Sequence, residues 1–417
     1  MLSTACGVDF GTSNSTVGWH RTGHPTLLPL EDGRPTLPSM VFFHTEEMRV
    51  SYGRAAMADY LDGYEGRLLR ALKSVLGTSL MEGHTALMGG AMPFRTLLAR
   101  FILELKRRAE ASAGREFTRA VLGRPVHFVD DDPQADQKAQ DTLAEVARDA
   151  GFADIAFQYE PLAAAFELES RMTEEALVLV ADIGGGTSDF TLVRLGPQRA
   201  GRPDRRDDIL AHGGVHIGGT DFDKQFSLAR VMPMLGLGTR LSGGKDMPST
   251  QYGNLAGWHT IPLAYTPKVW AQLSEIHSVA ADKEKVGRLL ELIRQRAGHW
   301  LALQVEEAKI ALSGAQSARI SLERIAAGLA LDTARSEFEQ AAERLVDRIE
   351  DTVQALLRSA CTPADDVDAV FFTGGSSSIP LLRSRLAARF PRARKLDGDL
   401  FGAIGIGLAL DASRKFA

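Results

Sequence analysis

Two segments far apart in the chain share one pattern of apolar and polar positions. In residues 7–17 and 181–193, an apolar run ends at an aspartate, glycines and small hydroxyl residues follow, and a second apolar run begins. Each pattern predicts a strand, a tight turn and a returning strand. Because glycine has no Cβ, backbone N–H groups in such a turn can approach phosphate oxygens closely. Two matched hairpins of this kind predict that one nucleotide is held from opposite sides.

The rest of the chain alternates helical and extended patterns. A helix over 94–112 is predicted by apolar side chains at helical spacing, and another by Asp132 as N-cap, Pro133 in the first turn and Gly151 past the end. Further helices are predicted after Pro161, over 221–235, 271–313 and 333–360, after Pro380, and from 402 to 410. Strands are predicted at 37–43, 120–128, 155–158, 177–181, 190–195, 320–325 and 367–373. Each half therefore opens on an aspartate-containing hairpin, so we expect two similar α/β lobes that face each other across a cleft.

Two connecting segments lack this periodicity. Residues 196–208 are rich in arginine, proline, glycine and aspartate, and we expect their arginines to be solvated in an exposed loop. Residues 236–268 are rich in glycine, proline, serine and threonine, which predicts a long irregular segment or insertion.

Composition narrows the class of protein. The 48 basic and 53 acidic residues of this 417-residue chain leave a net charge of −5, which argues against a general nucleic-acid or anionic-membrane binder. The chain has two cysteines, too few for a disulfide framework or a zinc site, and no apolar run of about 18 residues. We expect a cytoplasmic protein with neither a nucleic-acid nor a membrane partner.

The candidate chemistry lies in the two turns. Asp9 and Asp182 stand at strand ends and suit a Mg²⁺ ion held partly through water, and Asp189 could bind a cation or position a water molecule. The remaining predicted phosphate-binding groups are the backbone N–H groups and hydroxyl or amide side chains of Gly11, Thr12, Ser13, Asn14, Gly184, Gly185, Gly186, Thr187 and Ser188.

These turns and four further segments resemble motifs of the 70-kDa heat-shock chaperone family, which belongs to the actin-like ATPase superfamily. The turns are DFGTSNS (9–15) and DIGGGTSD (182–189), and the other segments are ALKSVLG (71–77), EPLAAA (160–165), HIGGTDFD (216–223) and FTGGSSSIP (372–380). The resemblance spans nearly the whole chain, and its length and pattern are similar to those of the smaller YegD-type branch. It implies an α/β, actin-like (ribonuclease H-like) fold with two lobes, each a mixed β-sheet with flanking helices, around a nucleotide cleft.

The resemblance also implies a division of the chain. Lobe I would comprise 1–174, with a core of 1–36 and 96–174 and a subdomain of 37–95 inserted. Lobe II would comprise 175–399, with a core of 175–212 and 319–399 and a subdomain of 213–318 inserted. Residues 400–417 would form a C-terminal helix that packs back on lobe I.

Several roles follow from the resemblance. Lys73 would place a positive charge beside the γ-phosphate and the attacking water. Glu160 would orient the water network or the metal shell, Thr187 would orient the water or donate to the γ-phosphate, and Asp182 is the fourth predicted catalytic residue. The cofactors implied are ATP or ADP and Mg²⁺, with K⁺ as a further candidate. Predicted nucleotide contacts beyond the two turns are Gly218, Gly219, Glu306, Lys309, Ser313, Gly374, Gly375, Ser376 and Asp399.

The adenine end departs from the family pattern. Ile310 and Ser378 stand where the chaperones carry arginines against the base. Since a guanidinium can stack on adenine, their replacement predicts weaker or altered base binding unless another group stacks there.

The leading hypothesis is an ATP-binding, slowly ATP-hydrolysing, chaperone-like protein whose lobes close on the nucleotide, with a client or co-chaperone protein as the expected partner. The chain ends at Ala417, soon after the last ATPase helix, so no peptide-binding domain is expected. A small-molecule kinase of the same superfamily, a nucleotide-dependent switch or filament protein, and a degenerate ATPase are the alternatives.

Overall fold

The computed structural model describes residues 5–416 except 25, 88–89, 130–131, 203 and 243. The strands in this part of the chain are β1 (Ala5–Phe10), β2 (Asn14–Gly18), β3 (Thr36–Pro38), β4 (Met40–His44), β5 (Val50–Tyr52), β6 (Gly66–Arg70), β7 (His84–Leu87), β8 (Gly90–Pro93), β9 (Arg119–Arg124), β10 (Asp154–Tyr159), β11 (Ala176–Ile183), β12 (Ser188–Leu195), β13 (Ile209–Val215), β14 (Ser317–Ser321), β15 (Ala330–Ala334), β16 (Ala369–Thr373) and β17 (Arg394–Asp397).

The α-helices of the same described residues are α1 (Gly53–Leu61), α2 (Phe94–Ala113), α3 (Pro133–Asp149), α4 (Glu160–Glu169), α5 (Gly219–Phe226), α6 (Thr250–Ala256), α7 (Pro267–Val279), α8 (Lys283–Arg294), α9 (Gly298–Gly314), α10 (Arg335–Ser359), α11 (Pro380–Arg389) and α12 (Ala403–Lys415). In this part of the chain, no helix combines the length and the apolar character needed to span a membrane.

Two five-stranded mixed sheets form the frame, with the orders β10-β9-β1-β2-β3 and β13-β12-β11-β16-β17. In each sheet the strand that leads into the glycine-rich turn pairs antiparallel with the returning strand and parallel with a later strand. Numbered along the chain within each sheet, both have the order 3-2-1-4-5. The prediction of two similar α/β lobes is therefore confirmed.

Capping residues and apolar spacing in the sequence correctly predicted the positions of flanking helices. The side chain of Asp132 accepts a hydrogen bond from the backbone N–H of Ala135 at 3.0 Å, and Gly151 lies past the helix end with φ of 92°. The predicted apolar face of α2 is fully buried in the core of the first lobe. Two predicted strands end early, since β9 ends at Arg124, directly before Pro125, and β14 ends at Ser321.

Helices α4 and α12 lie between the two sheets. Phe166 of α4 packs in a buried cluster with β11 and β12 of the second sheet, while Leu408 of α12 packs against β1 and β9 of the first. The two helices approach so closely that a Cβ at Gly407 would stand 1.8 Å from the carbonyl oxygen of Ala163. Small residues in α12 thus allow one helix pair to connect both sheets. The exact lobe and subdomain boundaries given above stay predictions.

The prediction of solvated arginines in 196–208 is wrong for Arg199 and Arg205. Arg205 is 4% exposed, and its guanidinium donates to the carboxylates of Glu169, at 2.7 Å, and Asp208. Arg199 donates to Asp208 at 2.5 Å. The local sequence gave no indication of this network, because Glu169, at the end of α4, is remote from the loop in sequence.

The prediction of an irregular segment over 236–268 is also wrong in part. Helix α6 lies within it, and Tyr252 and Leu255 of that helix belong to the core of the second lobe. The Tyr252 hydroxyl donates to the carbonyl oxygen of Leu235 at 3.0 Å, which ties α6 to the preceding turn. The segment lacks a long helical repeat, but its few apolar residues are enough to anchor it.

Candidate functional site

A cleft of about 600 Å³ lies between the two lobes. Both glycine-rich turns line it, together with α9 and the loop after β16. The predicted site residues in its lining are Asp9, Gly11, Thr12, Ser13, Asn14, Lys73, Glu160, Asp182, Gly184, Gly185, Gly186, Thr187, Asp189, Gly219, Glu306, Lys309, Ser313, Gly374, Gly375 and Ser376. Gly218, Asp399 and Ser188 are not part of this lining. The prediction that the Ser188 side chain binds phosphate is wrong, because its hydroxyl is buried and donates to the carbonyl oxygen of Ile217 at 2.7 Å.

The two turns face each other across the floor of the cleft. A Cβ at Gly185 would stand 2.3 Å from the hydroxyl of Ser13, so glycine at position 185 lets the second turn lie against the Ser13 side chain of the first. In register, Asp9 pairs with Thr16 in the first hairpin and Asp182 pairs with Asp189 in the second. Both strand-end aspartates and residues of both turns line the same cleft. That arrangement suits a polyphosphate.

The second turn is held by two surrounding elements, the start of α5 and the loop after β16. The backbone N–H of Gly219, at the start of α5, donates to the carbonyl oxygen of Gly184 at 3.0 Å, and that of Thr220 donates to Gly185 at 2.8 Å. The hydroxyl of Ser376 donates to the same Gly184 oxygen at 2.9 Å. Gly219 and Thr220 of the predicted Gly-Gly motif, together with Ser376, thus stabilise the conformation of the second turn. Gly218 packs against Gly186, where a Cβ would stand 2.5 Å from the Gly186 nitrogen.

Lys73 enters the cleft from a short turn of 3₁₀-helix over Leu72–Val75, which follows Ala71 in a left-handed conformation with φ of 54°. Its ammonium group donates to the carboxylate of Glu160, the first residue of α4. Burial acts to lower the pKa of Lys73, but the nearby carboxylates of Glu160 and Asp9 outweigh it and the pKa is raised. Lys73 is therefore a fixed positive charge at this end of the cleft.

Four carboxylates surround this lysine. Burial raises the pKa of Asp9 to about 8, and repulsion from Glu160 adds to the rise. Burial also raises the pKa of Asp182 to about 7, with Asp189 as the next cause. The pKa of Asp189 is likewise raised by burial, although the Thr187 hydroxyl that donates to it acts in the other direction. One lysine thus does not offset the burial and mutual repulsion that oppose ionisation of these carboxylates.

These residues fit a divalent cation with few direct protein ligands. Within the described residues, no three His, Cys, Asp or Glu side chains are placed to hold a metal by themselves. Mg²⁺ usually keeps several waters and takes one or two carboxylates plus phosphate oxygens, and oxygen ligands are what Asp9 and Asp182 supply. A cation there would also offset the excess of negative charge around Lys73.

The opposite end of the cleft is formed by α9 and by the loop after β16. Lys309 is buried, pairs with Asp223 at 2.8 Å and donates to the carbonyl oxygen of Gly219 at 3.1 Å. The Ser313 hydroxyl donates within its helix to the carbonyl oxygen of Lys309 at 3.3 Å. Asp399 lies next to this end and caps the start of α12, where it accepts from the backbone N–H of Gly402 at 2.7 Å.

Sequence reasoning assigned no role to several residues of the lining. Asp223 follows the Gly-Gly motif and could have been noticed from that position, because its partner Lys309 was already a candidate. Arg70 and Phe401 also line the cleft, but neither lies in a recognisable motif. Their position depends on how β6 and the start of α12 pack, so the sequence carried no signal for them.

One comparison with known proteins bears on this site. The family described as Hsp70 protein matches the chain over residues 5–229 and 280–413. The match includes both glycine-rich turns, Lys73, Glu160 and the loop after β16. Residues 230–279, which contain α6 and α7, fall outside it.

Proposed function

The chain belongs to the Hsp70 family within the actin-like ATPase superfamily, whose fold and ATP-binding, chaperone-like function it shares, and from that premise we propose that it hydrolyses ATP slowly in the cleft. We propose further that ATP and ADP bind with Mg²⁺, that the lobes close on the nucleotide, and that the lobe movement serves a client or co-chaperone protein. The proposal is carried by one observation above all, the pairing of Lys73 with Glu160 directly beside Asp9, Asp182 and both turns.

Each residue at the phosphate end has a role in this proposal. The N–H groups of the two turns bind the phosphate chain, and Lys73 offsets the negative charge that hydrolysis concentrates around the γ-phosphate. Glu160, fixed by Lys73, orients the attacking water, and the Thr187 hydroxyl is a second group for that water. Asp9 and Asp182 would hold Mg²⁺ through water as well as directly, with Asp189 next to them. When bound, Mg²⁺ supplies charge neutralisation and polarises phosphate oxygens.

Lobe closure is supported by contacts on the far side of the cleft. Tyr60, on α1, hydrogen-bonds His299, on α9, at 2.7 Å, and the Arg70 guanidinium lies 3.9 Å from the ring centroid of Trp258. The same two helices line the cleft through Met57, Leu61, Leu303 and Glu306. We infer that these contacts join the two lobes beside the cleft and that opening of the cleft has to break them.

The test is a comparison of nucleotide binding and turnover with Mg²⁺ for the wild type, Lys73→Ala and Asp182→Ala. We expect Lys73→Ala to keep ADP and ATP binding but to lose turnover by about a hundredfold, since it removes charge that matters most in the transition state. Asp182→Ala should weaken the Mg²⁺ dependence of binding. Lys138→Ala is the matched control, because Lys138 also pairs with a glutamate, Glu82, but lies on the surface outside the cleft.

Two results would count against the proposal. If the wild type binds neither ATP nor ADP at millimolar concentration, the cleft is not a nucleotide site. If ADP forms only when a small-molecule acceptor with a hydroxyl group is added, and that acceptor becomes phosphorylated, the protein is a kinase of the same superfamily rather than an ATPase.

A further inference from the structure

Two large apolar side chains are exposed inside the cleft. Ile310 is 61% exposed and Phe401 is 53% exposed, and both belong to the lining, Ile310 on α9 and Phe401 beside the loop after β16. Apolar surface in a concave polar site loses its contact with water when a ligand covers it, which favours binding. Their exposure within the cleft therefore points to a flat apolar group on the ligand.

Phe401 is held in place by its surroundings. Its backbone N–H donates to the carboxylate of Asp399 at 3.0 Å, in the cap that begins α12. Its ring lies against the turn after β16, since a Cβ at Gly375 would stand 2.8 Å from Cε1 of the ring. The ring thus has a fixed backbone and one supported edge, and the rest of it faces the cleft.

Three polar donor side chains of this end, those of Ser313, Ser378 and Lys309, are engaged with the protein. The Ser378 hydroxyl donates to the carbonyl oxygen of Gly375 at 2.8 Å, the Ser313 hydroxyl donates to Lys309, and the Lys309 ammonium pairs with Asp223. Hydrogen bonds from these donors to a base would have to replace bonds that already exist. Stacking on an apolar surface requires no such exchange.

We propose that Phe401 stacks on the base of the bound nucleotide and that Ile310, from α9, adds aliphatic contact to the same base. This inference rests on the proposed function and specifies how one end of that site recognises its ligand. The ring of Phe401 and the side chain of Ile310 would then contact the base in place of a guanidinium, which neither position 310 nor position 378 provides. Every base has a π-face, so the contribution of Phe401 is the same for adenine and guanine nucleotides.

The experiment measures the dissociation constants of MgADP, MgGDP and magnesium pyrophosphate by calorimetry for the wild type and Phe401→Ala. We expect Phe401→Ala to weaken MgADP and MgGDP by about tenfold each, as base–aromatic stacking predicts, and to leave pyrophosphate binding unchanged. Phe401→Trp should retain nucleotide affinity because it retains a stacking ring. Ile310→Ser should weaken both nucleotides by about threefold through lost apolar contact.

Leu80→Ala is the control, since Leu80 is 55% exposed but does not line the cleft. Because Phe401 is half exposed, its replacement should leave the melting temperature close to that of the wild type, and this is measured on the same samples. Unchanged nucleotide binding by Phe401→Ala would overturn the inference. Tighter binding would overturn it as well, because it would show that the ring blocks the site. If the wild type binds neither MgADP nor pyrophosphate, the proposed function itself is overturned.

Discussion

The contact between Tyr60 and His299 gives a quantitative prediction about nucleotide release. The Nε2 atom of His299 lies 3.1 Å from the carbonyl oxygen of Trp258, which can only accept, so Nε2 carries the hydrogen. The other ring nitrogen, Nδ1, therefore accepts a hydrogen bond from the Tyr60 hydroxyl at 2.7 Å. Tyr60→Phe removes this donor and leaves a buried acceptor without its partner, while the two lobes keep their shape.

The size of the effect follows from the burial of the pair. One neutral hydrogen bond contributes about 1 kcal/mol, and an unsatisfied buried nitrogen adds to the loss, so the closed arrangement should lose about 1.5 kcal/mol relative to the open one. That corresponds to about a tenfold change in the equilibrium between closed and open lobes. We therefore expect Tyr60→Phe to release ADP about ten times faster than the wild type.

The assay is stopped-flow displacement of a fluorescent ADP analogue by excess unlabelled ATP, with Mg²⁺ present. Tyr64→Phe is the control, since it also removes a hydroxyl near the end of α1 but its ring contacts Arg49 and His44 rather than the second lobe. Trp258→Ala should accelerate release as well, because Arg70 loses its stacking partner. Release rates that stay within twofold of the wild type in both variants would refute the idea that these contacts restrain opening.

Three further predictions concern stability. Arg205→Ala should lower the free energy of unfolding in urea by about 3–5 kcal/mol, because it removes the guanidinium that pairs with the buried carboxylate of Glu169. Gly407→Ala should lower it by about 1–3 kcal/mol, since the new Cβ would stand 1.8 Å from the Ala163 oxygen. Burial lowers the pKa of His299 from 6.5 to about 4, so between those values the unfolded chain binds a proton that the folded chain does not. The free energy of unfolding should therefore fall by up to about 3 kcal/mol as the pH drops from 6.5 to 4.

Matched variants separate these effects from general damage. Asp207→Ala, in the same loop as Arg205 but exposed, should change the free energy of unfolding by less than about 0.5 kcal/mol. Gly253→Ala, in α6 with open space at the Cβ position, should stabilise the protein by about 0.5–1 kcal/mol, opposite in sign to Gly407→Ala. In His299→Gln, the fall in the free energy of unfolding between pH 6.5 and 4 that is due to His299 should be absent. A Gly407→Ala variant as stable as the wild type would contradict the close approach of α4 and α12.

The sequence predicted those parts of the structure that are determined by residues close together in the chain. Strand–turn–strand patterns at 7–17 and 181–193 located both hairpins, and Asp132 with Pro133 located the start of α3. Lys73 and Glu160 were found because each lies in a short motif, and the structure places them in contact. Whether they are catalytic stays a prediction, as do the other assigned site roles.

Elsewhere, long-range packing decided what the local pattern could not. Arg205 is buried because α4 brings Glu169 to it, and 236–268 folds because Tyr252 reaches the core of the second lobe. Local composition in both segments resembles that of exposed loops, so pattern reasoning failed there.

By itself the sequence indicated two glycine-rich strand–turn–strand hairpins, because glycine, aspartate and β-branched residues act through local backbone geometry, and its motifs indicated the fold class and the family through resemblance. Only the tertiary structure decided that α4 and α12 lie between the sheets, that Tyr60 and His299 join the lobes, and that Phe401 faces the cleft. Each of these depends on side chains that are distant in the chain and meet through packing. That is why the part of the cleft around Lys73 and the two turns could be found from motifs, while the part around Phe401 required the folded molecule.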